Sequence, residues 1–227
     1  SDGNEQYLEA TGVFSGLSKD NRGGKILERS PLNDEVDVVV IGGGFGGLIA
    51  GARLKNAGIE DVLLIEKGAD FGGTWYWNQY PGARCDVESY IYLPLLEEVD
   101  SIPSEKYASA TEIQEHACAI ASRFGLDKNA CFQTEVKSTR WDADTSRWIV
   151  STDRLDEIKA RFVVMASGPL HKLKLPGIAG IDTFSGHMFH TSRWDYDYTG
   201  GSPKDDLTRL GDKRVALIGT GATAIQC

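Results

Sequence analysis

Two short runs of consecutive apolar residues flank a helical pattern in the first third of the chain. Val36–Ile41 is rich in β-branched residues and ends in glycines, which is typical of a parallel strand buried on both faces. Leu48–Ala57 predicts a helix that Gly58 ends, and Asp61–Glu66 predicts a second buried strand. Strand, helix and strand fit within about 30 residues, which is the size of one β-α-β unit.

Beyond this unit the pattern changes from loop to helix and then to strands. Phe71–Tyr92 is rich in glycine, tryptophan and tyrosine and predicts a loop. Thr111–Phe124 predicts a helix capped by Thr111, with one apolar face and with Gly125 after its end. Three strand-like runs follow and predict an antiparallel excursion that returns to a parallel strand: Phe132–Val136, Trp148–Thr152 and Ala160–Met165.

The two ends of the chain carry weaker patterns. Residues 1–35 are polar and predict an extension with a short helix near Glu5–Ala10, and Pro169–Gly211 predicts a linker. Arg214–Ile218 predicts a fresh buried strand that runs into a second glycine turn. Such a strand exposes apolar surface when no helix and returning strand follow it. We therefore expect this second unit to be incomplete, in a fragment or in a chain whose last strand something else covers.

Composition narrows the class of protein. The chain has 227 residues, 41% of them hydrophobic, which is enough for one large or two small domains. A net charge of −9 disfavours nucleic acid as a partner. The longest apolar run, Val38–Ala52, is glycine-rich and too short for a membrane span of about 20 residues. We expect a soluble, cytoplasmic protein.

The spacing of the cysteines also favours an intracellular protein. The four cysteines are scattered and form no C-x-x-C pair, so they predict neither a zinc site nor a disulfide framework: Cys85, Cys118, Cys131 and Cys227. Reduced cysteines are typical of an intracellular protein.

A glycine pattern between the first strand and the first helix indicates a dinucleotide site. Gly42, Gly44 and Gly47 permit a tight turn, close approach of a pyrophosphate and close packing of helix on strand. The free N–H groups at the start of the helix then face the anion. Glu66 ends the second strand about 20 residues further on, where a carboxylate accepts hydrogen bonds from ribose hydroxyls and repels a 2′-phosphate. This site therefore favours FAD or NAD over NADP.

Two further stretches carry candidate chemistry. Gly219, Gly221 and Ala224 form a second turn of the same type, and two such turns suggest a flavin together with the nicotinamide that reduces it. The loop Gly72–Asp86 is dense in aromatic residues and could wall a flat ring system, with Asp86 supplying a polar group. The same composition also fits a tryptophan-rich core loop, and the residues alone leave both interpretations open.

Three features together resemble one known family. They are the loop Gly72–Asp86 with its continuation Val87–Ser89, the turn Gly219–Ala224, and the pattern F-x-G-x-x-x-H-x-x-x-W-D. The fixed positions of this last pattern are Phe184, Gly186, His190, Trp194 and Asp195. From about residue 36 onward, the chain resembles the N-terminal portion of Baeyer–Villiger monooxygenases, which are class B flavoprotein monooxygenases.

The resemblance implies an α/β fold with a Rossmann-like FAD-binding domain and the start of a second, NADP-binding Rossmann-like domain. We place the extension at residues 1–35, the FAD-binding domain at 36–180, an interdomain linker at 181–212 and the start of the second domain at 213–227. The implied activity uses FAD, NADPH and O2 to insert one oxygen atom beside a ketone carbonyl, through a flavin C4a-peroxide, giving an ester or lactone. Its partners are the ketone and the missing C-terminal part of the enzyme.

Two other classes of function stay open. One is a truncated flavin-binding module, or half-enzyme, that has no turnover of its own and does not oxidise NADPH alone. The other is an FAD-dependent disulfide reductase, which needs a reactive cysteine pair near the first flavin loop. Only Cys85 stands there, so the cysteine spacing disfavours the reductase.

Site residues follow from the resemblance in the same way. Asp86 corresponds to a buried acid that orients a catalytic arginine, and that arginine belongs after the second glycine turn. His190 is assigned domain coupling in the linker, which Phe184 and Trp194 would anchor by packing. Gln79 departs from the arginine that many family members carry at its position.

The predicted cofactor contacts fall into two groups. For FAD they are Gly42, Gly44, Phe45, Gly46, Gly47, Glu66, Lys67, Gly73, Thr74, Trp75, Trp77, Asp86, Tyr92 and Val136. For the nicotinamide cofactor they are Gly219, Thr220, Gly221, Ala222 and Thr223.

Overall fold

A computed structural model of the chain describes residues 6–227. The strands in chain order are β1 (Tyr7–Glu9), β2 (Glu35–Ile41), β3 (Val62–Ile65), β4 (Ala130–Cys131), β5 (Val136–Asp142), β6 (Arg147–Thr152), β7 (Glu157–Met165) and β8 (Lys174–Pro176). The α-helices are α1 (Phe45–Asn56), α2 (Thr74–Trp77), α3 (Ser89–Tyr92), α4 (Ala110–Arg123), α5 (Tyr196–Thr199) and α6 (Ala222–Gln226). Short 3-10 helices cover Gly12–Ser18, Asp127–Asn129, Ile181–Thr183 and Thr191–Arg193.

Six of the strands form one sheet in the order β4-β3-β2-β7-β6-β5. β4, β3, β2 and β7 run parallel, whereas β6 lies antiparallel to both β7 and β5. The chain therefore forms the predicted β-α-β unit, leaves the parallel sheet for an antiparallel hairpin and returns to it in β7. None of the helices in the described part of the chain has both the length and the apolar character needed to cross a membrane.

The central strand β2 is buried on both faces of the sheet, which explains its unbroken apolar run. Val38 and Val40 pack with Leu48 of α1 in one apolar cluster. Val39 packs on the opposite face with Val150 of β6, and neither valine has exposed surface. A parallel strand covered on both sides has no place for alternating polar residues.

The predicted helix at Thr111–Phe124 is present as α4, but its cap was wrong. Ser109 caps α4, because its hydroxyl accepts the N–H of Glu112 at 3.3 Å. Ile113 and Ile120 lie on the fully buried face of the helix. The first helix also starts earlier than its apolar pattern indicates, at Phe45 rather than Leu48, because the glycines that precede Leu48 already form its first turn.

The predicted strand at Phe132–Val136 was wrong, because the chain turns sharply there. β4 ends before this segment and β5 begins at its last residue. Gln133 has a left-handed backbone with φ of 49°, and the Thr134 N–H donates to the Glu66 carbonyl at 3.0 Å. The segment carries the chain around the end of β3 instead of extending the sheet.

Two further predictions at the ends of the chain need correction. Arg214–Ile218 forms no strand, and Val215 and Ile218 are 65% and 68% exposed, because no described strand lies beside them to pair with their backbone. The helix predicted near Glu5–Ala10 begins outside the described residues. Its remainder includes β1, which pairs antiparallel with β8.

The N-terminal extension is tied to the sheet by a buried carboxylate. Both guanidinium N–H₂ groups of Arg29 donate to Asp156, each at 2.6 Å. The Leu32 N–H and the Thr152 hydroxyl also donate to Asp156, which is 2% exposed. Burial alone would raise the pKa of Asp156, but these hydrogen bonds outweigh it and lower the pKa to about 2.

We predict that Asp156→Asn lowers the free energy of unfolding by about 2 kcal/mol near pH 7. A carboxyl group with a lowered pKa stabilises the folded state above its unfolded pKa, and this contribution is lost as the pH falls from about 4 to about 2. Urea unfolding of both proteins at several pH values measures the difference, which should shrink below about pH 4. Asp37→Asn is the control, because Asp37 forms an exposed ion pair with Arg161 at 3.0 Å. A loss that does not depend on pH would contradict the prediction.

Candidate functional site

The first glycine turn lies at the carboxyl end of β2 and leads directly into α1. Gly42 has a φ of +110°, and a Cβ atom there would lie 2.4 Å from the Ala166 carbonyl oxygen. A Cβ atom on Gly47 would lie 1.9 Å from the Gly42 carbonyl oxygen. Only glycine permits this contact between the start of the helix and the end of the strand.

The start of α1 has no side-chain cap, because Gly44 occupies the capping position. The first N–H groups of a helix have no partner within the helix and carry the positive end of its dipole. Gly44, Phe45 and Gly46 all line the same cavity. This end of the cavity can therefore accept an anionic group.

Glu66 connects the glycine turn with the segment that follows β3. Its carboxylate accepts the Gly43 N–H at 2.5 Å and the Gly68 N–H at 2.6 Å, and the residue is 5% exposed. Burial raises the pKa of Glu66 above its ordinary value, and the two backbone donors oppose that rise. Each oxygen keeps a second lone pair, so the carboxylate can still accept a further hydrogen bond.

Aromatic residues form one wall of the cavity. The indole N–H of Trp75 donates to the Tyr92 hydroxyl at 2.8 Å, and the two rings meet edge to face. The ring of Tyr92 also meets that of Phe45 edge to face, with centroids 5.9 Å apart. Trp77 lines the cavity from the same short helix, α2. The tryptophan-rich loop thus both walls the cavity and packs in the core, so the two interpretations of its composition do not exclude each other.

The cavity has a volume of about 640 Å³, within the range usual for small-molecule sites. It brings together most of the predicted FAD contacts: Gly42, Gly44, Phe45, Gly46, Glu66, Lys67, Gly73, Thr74, Trp75, Trp77, Tyr92 and Val136. Gly47 does not line it and lies behind the turn. The carboxyl ends of parallel strands meet here, as expected for a ligand site in an open α/β sheet.

Sequence reasoning missed the third side of the cavity, which follows β7. Its residues include Met165, Ala166, Ser167, Gly168, Leu170 and His171, with Thr134 and Glu135 from the segment before β5. Burial lowers the pKa of His171, and its Nδ1 atom has no hydrogen-bond partner within residues 6–227. The rule that ligands bind outside the carboxyl ends of parallel strands could have identified this side, because β7 was predicted to return to the parallel sheet.

Asp86 does not fit its expected setting. The resemblance implies a buried acid near the flavin, but Asp86 is exposed and does not line the cavity. Its neighbour Cys85 is buried, so the chain turns its thiol inward and its carboxylate outward at this point. No described segment packs over the carboxylate.

Only some residues of the linker pattern pack against the rest of the structure. His190 is half-buried, accepts the Ser192 N–H at 3.1 Å and does not line the cavity. Trp194 packs against the buried Tyr80, and its indole N–H donates to Thr199 at 3.0 Å. Phe184 is 63% exposed, so its predicted anchoring role was wrong, because no buried apolar cluster lies against it.

The second glycine turn is exposed and lies apart from the cavity. Gly219, Thr220, Gly221 and Ala222 are exposed, Thr223 is half-buried, and none of the five lines the cavity. The helix that follows them, α6, nevertheless reaches the tryptophan-rich loop, because Gln226 accepts the Tyr80 hydroxyl proton at 2.8 Å and the Arg84 N–H at 3.4 Å.

Gln79 is buried among polar groups of the same loop. Its side-chain amide donates to the Trp75 carbonyl at 2.9 Å and to the Gln114 side chain. The position is 5% exposed, and its uncharged amide joins the loop to α4 through Gln114.

Comparisons with known proteins agree with this architecture. A family model for the NAD(P)-binding Rossmann-like domain matches residues 40–100. The chain is 55% identical over its whole length to neopentalenolactone D synthase of Streptomyces avermitilis, of which it covers 38%. It is 53% identical to a Baeyer–Villiger monooxygenase of Streptomyces coelicolor over 99% of this chain and 37% of that protein. The chain thus spans less than two fifths of the length of these relatives.

Solved structures give the same result. A polycyclic ketone monooxygenase from the fungus Thermothelomyces thermophila is 40% identical, with a TM-score of 0.91 over all of this chain and 39% of that one. OTEMO, solved as a complex with FAD and NADP, has a TM-score of 0.73 and is 38% identical over 87% of this chain and 36% of its own.

Gly47→Ala should destabilise the fold by about 1–3 kcal/mol, because its Cβ atom cannot fit against the backbone of Gly42 without moving α1 away from β2. Thermal or urea unfolding measures the change. Gly211→Ala is the matched control, since a Cβ atom at Gly211 meets no atom within 4 Å. Equal effects of the two substitutions would show that this close contact does not constrain the turn.

Proposed function

From the premise that this chain corresponds to the N-terminal portion of Baeyer–Villiger monooxygenases, we propose that its cavity binds FAD. The whole enzyme then uses NADPH and O2 to insert one oxygen atom beside a ketone carbonyl, which gives an ester or lactone. The single observation that carries this proposal is the meeting of an uncapped helix start, a buried carboxylate and an aromatic wall in one cavity.

The residues present fit a dinucleotide with a flavin ring. The N–H groups at the start of α1 would hold the pyrophosphate, since Gly44 leaves them without a side-chain cap. Glu66 would accept hydrogen bonds from the ribose hydroxyls and would repel a 2′-phosphate, which favours FAD over NADP here. Trp75, Trp77 and Tyr92 would wall the ring system and exclude water from it.

The bound flavin supplies the redox chemistry of the reaction, whereas this chain binds, orients and encloses it. Lys67, Thr74 and Val136 are proposed as further contacts because they line the cavity. His171 also lines the cavity and adds a neutral imidazole there, because burial holds its pKa below the ordinary value.

NADPH is assigned to the second glycine turn, Gly219–Ala224. This turn has the G-x-G-x-x-A spacing that dinucleotide sites use, and it starts α6 as the first turn starts α1. Asp86, as an exposed acid, would pair with an arginine from the rest of the enzyme near the nicotinamide. His190 would couple the linker to the FAD-binding domain, because its ring and its carbonyl group accept the N–H groups of Ser192 and Arg193 and so hold the turn that carries Arg193.

The domain boundaries stay part of this proposal: an extension at 1–35, an FAD-binding domain at 36–180, a linker at 181–212 and the start of an NADP-binding domain at 213–227. A cytoplasmic location also belongs to it, supported by four cysteines that form no disulfide. The ketone, O2 and the remainder of the enzyme are the proposed partners.

A flavin-binding module without turnover is the second candidate. The described residues form a cavity at the first glycine turn, whereas Gly219, Thr220, Gly221 and Ala222 of the second turn are exposed and do not line it. The two candidates differ in one measurement. Full-length protein that converts a ketone to an ester with one atom of ¹⁸O₂, and only with NADPH, is an oxygenase, whereas a module binds FAD and leaves the ketone unchanged.

We predict that the purified chain takes up FAD without forming a covalent bond and shows the visible absorption of a bound flavin. Equilibrium dialysis and the release of free FAD on denaturation measure this. A chain that folds, as judged by circular dichroism, and takes up no FAD contradicts the central proposal.

Glu66→Gln should weaken FAD binding by about tenfold or more, because an amide offers one oxygen where the carboxylate has two and turns an N–H₂ group toward a backbone donor. Titration of apoprotein with FAD measures the dissociation constant. Glu157→Gln is the control, since Glu157 is exposed and lies outside the cavity. Equal dissociation constants for the Glu66 variant and the control would exclude the proposed role of this carboxylate.

A further inference from the structure

The short helix α2, which carries Trp75 and Trp77 into the cavity, has little internal support. It spans only four residues, Thr74–Trp77, and its N-terminal neighbour Gly73 provides no side-chain cap. The carbonyl groups at the end of such a helix have no partner within it. Something outside the helix must therefore hold its carboxyl end if its aromatic side chains are to keep one position.

Arg22 of the N-terminal extension holds that end from one side. Its guanidinium donates to the Tyr76 carbonyl at 2.9 Å and to the Gln114 side chain of α4 at 3.1 Å. The same group lies over the Tyr76 ring, 4.9 Å from its centroid. Asp20 completes the contact by accepting the Tyr76 hydroxyl proton at 2.6 Å. The extension thus binds both the backbone and the side chain of Tyr76.

Arg193 of the linker binds the next residue, Trp77. Its guanidinium donates to the Trp77 carbonyl at 3.2 Å and to the His171 carbonyl at 2.9 Å. It also stacks on the Trp77 ring, 4.2 Å from the centroid. The residue is 8% exposed, and burial lowers its pKa.

Neither arginine is placed by an ion pair. Among residues 6–227, no carboxylate lies within 4.0 Å of either guanidinium. A buried cation without a carboxylate is unfavourable unless carbonyl groups and an aromatic face satisfy it. Arg193, which is buried, donates to the Trp77 and His171 carbonyl groups and lies over the Trp77 ring. Arg22, which is exposed, makes the matching contacts with the carbonyl group and ring of Tyr76.

We propose that Arg22 and Arg193 form a clamp on α2 and are positioning residues for the aromatic wall of the cavity. The two arginines come from segments far apart in the chain, the extension and the linker, and bind adjacent residues of α2. The clamp gives the extension a role in the cofactor site and joins the linker to two sides of the cavity through Trp77 and His171. This inference rests on the proposed FAD site.

The test uses Arg22→Met, Arg193→Met and the double variant of the full-length protein. Methionine keeps apolar packing and removes the donors. Each single variant should bind FAD about tenfold more weakly, and the double variant by less than the product of the two, because both residues hold the same helix. The visible flavin bands should also shift in each variant, since the wall beside the ring moves. A loss of stability alone would not shift the bands of the folded, FAD-loaded protein.

Two further variants sharpen the result. Arg193→Lys keeps the positive charge but lacks the planar guanidinium that donates to the Trp77 and His171 carbonyl groups while it lies over the Trp77 ring, so it should resemble Arg193→Met. Arg161→Met is the control, because Arg161 is exposed, pairs with Asp37 and lies outside the cavity. It should change FAD affinity by less than about twofold. Should Arg193→Met fail to fold, Arg22→Met still tests the clamp, since Arg22 lies at the surface.

Hydrogen exchange in the absence of FAD separates this inference from the proposed function. The Tyr76 and Trp77 N–H groups donate to the Gly73 carbonyl and should exchange about tenfold faster in either methionine variant. Faster exchange in the variants, together with a wild-type protein that takes up no FAD, supports the clamp and overturns the FAD site. Unchanged exchange, or unchanged affinity and bands in a protein that does bind FAD, overturns the clamp.

Discussion

The carboxylate of Glu66 is the contact on which the arrangement of the cavity depends. Its two oxygens accept the N–H groups of Gly43 and Gly68, and the Gly43 carbonyl in turn accepts the Gly72 N–H at 3.0 Å. One buried acid at the end of β3 thereby fixes the glycine turn, and that turn fixes the start of the tryptophan-rich loop. A buried carboxylate is favourable only when donors surround it, so these contacts form together or not at all.

Much of the sheet could be predicted from the sequence, because strands buried on two faces leave a local signature. Val38, Val39 and Val40 form such a run, and the glycines after it mark the turn unambiguously. Strands β6 and β7 were predicted at nearly their observed bounds, whereas β5 was missed. The segment around Gln133 was also wrong, since a left-handed turn at a non-glycine residue has no local signal. Tertiary contacts decide the backbone there.

The residues of the site also fall into those that a local pattern predicts and those that only tertiary contacts determine. Site residues within one β-α-β unit, such as Gly42 and Glu66, can be predicted from their spacing in the sequence. The residues after β7 line the cavity because of the sheet topology, which no local pattern reveals. Asp86 was expected at the cavity from the family resemblance, but in this chain it is exposed and does not line the cavity. Arg22 and Arg193 could not be found from spacing at all, since each acts on a helix distant in the chain through carbonyl groups that every residue carries.

The contact between Gln226 and the tryptophan-rich loop has a mechanical consequence. Hydrogen bonds of 2.8 Å to Tyr80 and 3.4 Å to Arg84 tolerate displacements of only a few tenths of an ångström before they weaken. The Gln226 carbonyl also sits where a side chain on Gly82 would be, 2.5 Å from the position of its Cβ. Any rotation of the second glycine turn therefore either breaks these hydrogen bonds or displaces the tryptophan-rich loop, which also carries Trp75 and Trp77 of the first cavity.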